Sequence, residues 1–216
     1  MKNNNKNDFL IKKHIKNICP IRVSRILSEF IDGFRFLKKY NKTVTFFGSS
    51  KAKPKTKYYQ EALDLAYLLS KKGYTIVSGG GGGVMEAANK GAYMAGGQSV
   101  GINIELPEKQ RTNKYVKDSI FFRYFFVRKV MLAFASQAYI FLPGGFGTLD
   151  EFFEITTLIQ TKKVKKIPVI LVHKDYWLPL LNWIDQSLYQ ERKAISKKDM
   201  KIYHLVDDID QVLKLL

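Results

Sequence analysis

The sequence predicts an α/β fold, a parallel sheet covered by helices on both faces, on three observations. Short β-rich runs alternate with helical segments of about 10 to 15 residues, the arrangement that buries a parallel sheet from both sides. Three of those runs end in small-residue turns, Gly48-Ser49-Ser50, Ser78 to Gly83 and Gly144 to Thr148. Ligands in such folds bind outside the carboxyl ends of the strands, so these turns converge if their strands are near neighbours. Hydrophobic residues make up 46% and charged residues 25% of the 216-residue chain, enough apolar material for a core.

Taken in order, residues 1 to about 20 are Lys/Asn-rich and read as a basic, poorly ordered extension, with 21 to 216 as one domain. From Ile21 to Tyr40 the apolar positions Ile26, Phe30, Phe34 and Leu37 recur at helical spacing, with Gly33 a mild weakness. Thr43 to Phe47 is a short strand. Lys57 to Lys71 is helical and ends at Gly73. Tyr74 to Val77 is a second strand running into Ser78 and the five glycines Gly79 to Gly83. A helix from Val84 to about Ala95 and a strand from Gln98 to Ile104 follow. Leu106 to Asp118 reads as polar loop, and Phe121 to Phe126 as an aromatic lead-in to a helix holding Arg128, Lys129 and Met131. Ala138 to Leu142 is a strand, the turn Pro143 to Thr148 follows it, and a helix runs from about Thr148 to Gln160. Pro168 to Val172 is a buried strand, and Tyr176 to Leu188 and Ile209 to Leu216 read as closing helices.

Composition narrows the classes. Cys19 is the only cysteine, so no intrachain disulfide forms and a cysteine zinc site is disfavoured, which fits a cytoplasmic protein. The longest apolar-rich run, Val130 to Leu142, spans 13 residues and is interrupted by Ser136 and Gln137. That is short of the roughly 20 a membrane-spanning helix needs. The net charge of +17, from 36 Lys+Arg against 19 Asp+Glu, attracts polyanions in general. Most lysines are scattered, as at Lys12, Lys42, Lys71, Lys90 and Lys165, and residues with AT-rich codons are frequent throughout. The charge therefore argues only weakly for nucleic acid.

The turn Pro143-Gly144-Gly145-Phe146-Gly147-Thr148 carries the clearest chemistry. Its glycines let backbone approach a ligand closely and permit positive φ. The helix that follows aims free N–H groups into the same space, which suits a phosphate. Thr148-Leu149-Asp150-Glu151 also fits a capping box, in which Glu151 reaches back to a backbone N–H. If Glu151 is instead functional, it points past the phosphate toward sugar hydroxyls. The Gly79 to Gly83 run admits a weak dinucleotide-loop reading, with Glu105 loosely placed as its acid, or close packing of backbone. Glu86 lies in the first turn of the next helix, favourable there with or without a ligand. Arg128 and Lys129 sit among Phe125, Phe126, Val130, Met131 and Leu132, and adjacent residues lie about 100° apart, so one of the two points inward. Arg128 is favoured because it shares a face with Phe125, Met131 and Leu132. His14, His173 and His204 share no metal-ligand spacing.

These segments together resemble the LOG (LONELY GUY) family of cytokinin riboside 5′-monophosphate phosphoribohydrolases. The resemblance rests on Ser78-Gly79-Gly80-Gly81 with Met85 to Ala92, Phe125 to Leu132 read as an R-K-x-x-M motif, and Pro143 to Glu151 as P-G-G-x-G-T-x-x-E. It runs from about Val44 to Val172. It implies a Rossmann-like fold, usually a homodimer, that cleaves the N-glycosidic bond of a nucleoside 5′-monophosphate without cofactor or metal. Arg128 and Glu151 are then the expected catalytic pair. Gly144, Gly145, Phe146, Gly147 and Thr148 hold the phosphate with Lys129 and Thr157 nearby, and Ser49, Gly80, Gly81, Glu86 and Met131 complete the expected substrate contacts. Gly82 stands where relatives often carry proline. A non-catalytic nucleotide or cofactor carrier of the same fold and a basic nucleic-acid-binding protein are the alternatives.

Overall fold

The structure, a computed structural model, describes residues 20–105 and 112–216. The expected extension before Pro20 and the loop Pro107-Glu108-Lys109-Gln110 lie outside the described residues. The chain enters through helix α1 (Pro20–Leu37) and then alternates: β1 (Thr43–Phe47), α2 (Lys57–Lys71), β2 (Thr75–Ser78), α3 (Val84–Met94), β3 (Ser99–Ile104). Next come β4 (Asp118–Phe122), α4 (Phe125–Phe134), β5 (Tyr139–Phe141), α5 (Phe146–Gln160), β6 (Val169–Val172) and α6 (Lys174–Trp183). A π-helical segment (Ile184–Glu191), a 3-10 turn (Asp199–Lys201), β7 (Tyr203–Val206) and α7 (Ile209–Lys214) complete it.

Among the described residues, seven strands form one sheet in the order β4-β3-β2-β1-β5-β6-β7, with every neighbouring pair parallel. This is the doubly wound, Rossmann-like arrangement expected. Alternation along each central strand feeds two cores. Phe47, Tyr139 and Phe141 point to the face covered by α1, α4, α5 and α6, where Phe152 and Trp177 meet Phe141 edge-on. Val44, Phe46 and Ile140 point to the other face, under α2, α3 and α7. Helices α2 and α3 pack closely because Gly91 has no side chain: a Cβ there would lie 2.1 Å from the Leu63 carbonyl oxygen.

Two strands depart from the sequence reading. Asp118–Phe122, divided there between polar loop and aromatic lead-in, is β4, and Tyr203–Val206 was not anticipated. They are the two edges of the sheet. An edge strand has one neighbour and lacks the continuous apolar run of a buried strand, so its pattern is weak and pairing decides it. The expected helix at Tyr176 begins earlier, at Lys174, and carries Pro179 inside it. A proline there removes one i→i−4 hydrogen bond.

Candidate active site

Strand order reverses between β1 and β5, which pair directly, and a crevice opens there beyond the carboxyl ends of the strands. Because β2, β1 and β5 are neighbours, the three small-residue turns do converge. Together they line a cavity of about 390 Å³ to which they contribute Gly48, Ser50, Gly79, Gly145, Phe146, Gly147 and Thr148. Phe47, Met85, Ile104, Phe125 and Leu132 give it an apolar wall, and Arg128, Asp150 and Glu151 give it charge.

The turn after β5 is held by its neighbours. The Leu142 and Ser49 amides donate to the Phe47 and Pro143 carbonyls at 2.9 and 3.0 Å, and the Tyr176 hydroxyl donates to the Gly144 carbonyl at 2.7 Å. Helix α5 begins at Phe146, two residues earlier than expected, with Gly145 as its N-cap. None of its glycines adopts the positive φ that the sequence reading allowed for. Gly144 is needed for packing, since a Cβ would lie 2.0 Å from the Thr148 hydroxyl. A Cβ on Gly145 or Gly147 would meet nothing within 4 Å. Neither backbone strain nor packing calls for glycine at those two places. The Thr148 amide already donates to the Gly145 carbonyl at 3.0 Å, whereas the Phe146 and Gly147 amides lie ahead of the first intrahelical bond, at the positive end of the dipole.

With the helix starting at Phe146, Thr148 is inside its first turn and Glu151 is in its second. The capping-box reading is thereby excluded, because Thr148 is not the N-cap. Glu151 is 5% exposed, and its Oε2 has no hydrogen-bond partner. Burial pushes its carboxyl up to about 7, opposed by the nearby Lys129 and Arg128 charges and aided by Glu154 and Asp150. Arg128 comes from α4, where its Nε donates to the Ile102 carbonyl at 2.9 Å. Its guanidinium fits beside Gly79, where a Cβ would lie 2.4 Å from Nη2. Burial lowers the Arg128 pKa, and Glu151 partly offsets that. A half-desolvated cation and a partner-poor carboxyl thus share one cavity.

Other expected contacts fall elsewhere. Lys129 is not part of the lining and pairs with Asp150 at 2.6 Å and Glu154 at 3.0 Å. Met131 is fully buried in the core. An R-K-x-x-M spacing counted from Arg128 ends on Leu132, not Met131, and Leu132 lines the cavity. Thr157 is exposed on α5 and is not part of the lining. Ser49 and Gly144 border a neighbouring cavity of about 450 Å³, which Gly145 shares. Gly80 and Gly81 are spent internally: Asn113 Nδ2 donates to their carbonyls at 3.2 and 3.0 Å. Glu86 accepts from the Tyr59 hydroxyl at 3.3 Å and does not line the cavity. Sequence reasoning missed Met85, Ile104, Phe47 and Asp150 as lining residues. The first three are apolar and carry no signal apart from their place at strand and helix ends.

Comparison with known proteins adds to this geometry. A family model described as "Possible lysine decarboxylase" matches residues 85–216. A rice protein named probable cytokinin riboside 5′-monophosphate phosphoribohydrolase LOGL3 is 34% identical over 156 residues, covering 69% of this chain and 72% of its own. The chain belongs to the LOG family. Cytokinin riboside 5′-monophosphate phosphoribohydrolase LOG3 of Arabidopsis thaliana is 33% identical over 153 residues, with 69% and 70% covered. Among solved structures, the molybdenum cofactor binding protein of Rippkaea orientalis has this LOG fold at 24% identity and a TM-score of 0.60, covering 81% of this chain and 95% of that one. The molybdenum cofactor carrier protein of Chlamydomonas reinhardtii has it at 20% identity and the same score, 0.60, with 81% and 94% covered. Among the described residues no lysine lines the 390 Å³ cavity of this LOG chain.

Proposed function

We propose that this chain hydrolyses the N-glycosidic bond of a purine nucleoside 5′-monophosphate, of cytokinin type or AMP, releasing free base and ribose 5-phosphate. The observation that carries the reading is the pairing of Glu151, buried with an unpartnered oxygen, with the unfilled glycines Gly145 and Gly147 on the same cavity. The names of the relatives point the same way.

In this reading the amides at the start of α5 and the Thr148 hydroxyl hold the 5′-phosphate. The apolar wall takes the base. The C1′–N bond breaks with its electron pair leaving on the purine, and water supplies hydroxide to C1′ and a proton to the base. The ribose passes through an oxocarbenium-like state. Ionised Glu151 stabilises that cation and orients the water. Arg128 stays charged and so is no ordinary general acid; it offsets the negative charge developing on the departing base. Lys129 acts at one remove, through Asp150 and Glu154. A homodimer in the cytoplasm belongs to the same reading. It is supported by the half-exposed Phe125, Phe126 and Phe134 and by Phe146, which is 93% exposed at the cavity. Light scattering on purified protein tests the dimer.

The deciding experiment incubates purified protein with AMP and with isopentenyl-AMP and resolves free base by chromatography. Release from either supports the proposal. Stabilisation by AMP with no release favours a carrier. Duplex DNA binding that weakens steeply with salt, again without release, favours a nucleic-acid protein.

A further inference from the structure

Helix α1 lies outside the span matched by the family model, yet it grips α4, the helix that carries Arg128. Helix α4 has no cap of its own: its N-cap residue, Tyr124, makes no side-chain capping bond. The acceptor comes from α1. Glu29 Oε1 accepts from the Arg123 amide at 3.0 Å, and its Oε2 accepts from the Tyr124 amide at 3.3 Å. One carboxylate thus satisfies two backbone donors where α4 begins and places negative charge at the favourable end of its dipole.

Two further contacts fix the same pair of helices. Arg22, two turns before Glu29, stands over the Tyr124 ring at 5.8 Å. Gly33, one turn after it, leaves a notch for Met131, whose sulfur would lie 2.5 Å from a Cβ at that position. The glycine that weakens α1 as a helix is what lets α4 seat against it. Arg22, Glu29 and Gly33 therefore hold α4 at its start and near its end. Between those points Phe125 and Arg128 face the cavity.

We propose that Glu29 is a positioning residue for Arg128, holding α4 at the angle and depth that bring the guanidinium beside Gly79. This rests on the proposed role of Arg128. A carboxylate that only stabilised the fold would change melting behaviour and leave the work of Arg128 untouched. One that sets the position of α4 must lose its effect once Arg128 can no longer act.

The test is a double-mutant cycle in the full chain with AMP, using Glu29→Ala, Glu29→Gln, Arg128→Lys and both doubles. Glu29→Ala is expected to lower kcat about tenfold with KM held within about twofold. Glu29→Gln keeps an acceptor and should recover most of that loss. The doubles should be no slower than Arg128→Lys alone. Amide exchange should quicken at the start of α4 and stay unchanged in the central strands. Losses that multiply in the doubles, or a lowered melting temperature with normal kcat, overturn the proposal. Should Glu29→Ala fail to fold, the cycle stands on Glu29→Met, which keeps the length of the side chain but offers the Arg123 and Tyr124 amides no acceptor. If wild type releases no base from either nucleotide, it is the proposed activity that has failed. The same cycle is then read on AMP affinity, where additive losses reject the positioning role and non-additive losses support it.

Discussion

The molecule has two glycine-rich turns at the carboxyl end of one sheet, and they are glycine-rich for opposite reasons. At Gly79, Gly80 and Gly83 the space vacated by missing side chains is occupied by the protein. A Cβ on Gly80, held at φ +74°, would lie 1.7 Å from the Asn103 amide oxygen, and one on Gly83 would lie 2.2 Å from the Ser49 carbonyl oxygen. Ser78, Asn89 and Asn113 knit the loop together through buried hydrogen bonds of 2.6 to 3.0 Å. In the turn after β5, by contrast, Gly145 and Gly147 face open space with unremarkable backbone angles. Glycine content alone does not separate a packing loop from a ligand loop. What occupies the missing Cβ position does.

Substitutions can break that contrast. The largest effect is expected beside the open turn, at Glu151. Glu151→Gln should lower kcat by roughly 100- to 1000-fold while leaving AMP binding nearly intact, as judged by turnover against calorimetric affinity. Normal turnover in that variant would end the assignment. Its stability should move the other way at neutral pH and above. Burial pushes the folded carboxyl from the ordinary 4.5 up to about 7, so the unfolded chain gives up a proton that the fold retains. Its contribution to stability is fully present below about 4.5 and is lost as pH rises through about 7. Melting temperatures at pH 5 and pH 8 should show Glu151→Gln gaining on wild type only at the higher value.

Next in size is the comparison between turns. Gly80→Ala should destabilise the fold by about 2–4 kcal/mol, through positive φ and collision with Asn103. Gly147→Val should leave the unfolding free energy within about 0.5 kcal/mol and weaken AMP binding instead. If the two substitutions behave alike, the two turns do not differ in what fills their missing Cβ positions. The pH profile sharpens it further. If ionised Glu151 is the working form, kcat/KM should fall on the acid side of about 7 and the inflection should vanish in Glu151→Gln. Smallest is Tyr176→Phe, which frees the Gly144 carbonyl. Loss of that single bond, worth about 1 kcal/mol, should raise KM several-fold with little change in kcat.

The central strands were legible in the sequence because each is buried on both faces and reads as an apolar run. The edges β4 and β7 were not, because hydrogen bonding to one neighbour, rather than residue pattern, makes them strands. Within the site, Gly145 to Thr148 were legible as a glycine-rich strand-to-helix turn, Arg128 as a cation within an apolar stretch, and Glu151 through the motif it completes. Lys129 and Glu86 were misplaced for a different reason. A charged residue in a promising segment can be satisfied by another side chain, as Lys129 is by Asp150 and Glu154, and only three-dimensional pairing reveals it. Met85, Ile104 and Phe47 line the cavity through topology alone.

The pairing of β1 with β5 joins Thr45 to Tyr139 across more than ninety residues. The crevice between them does not exist in any shorter stretch of chain. During synthesis the β1–β2 and β2–β3 neighbours can zip early, but ligand recognition must wait until the middle of the chain has emerged and threaded home against the first strand. Long-range closure of that kind is slow and leaves apolar strand edges exposed meanwhile. A nascent chain stalled before Tyr139 would therefore be a half-sheet of β1 to β4 in need of protection, with nothing for a nucleotide to rescue.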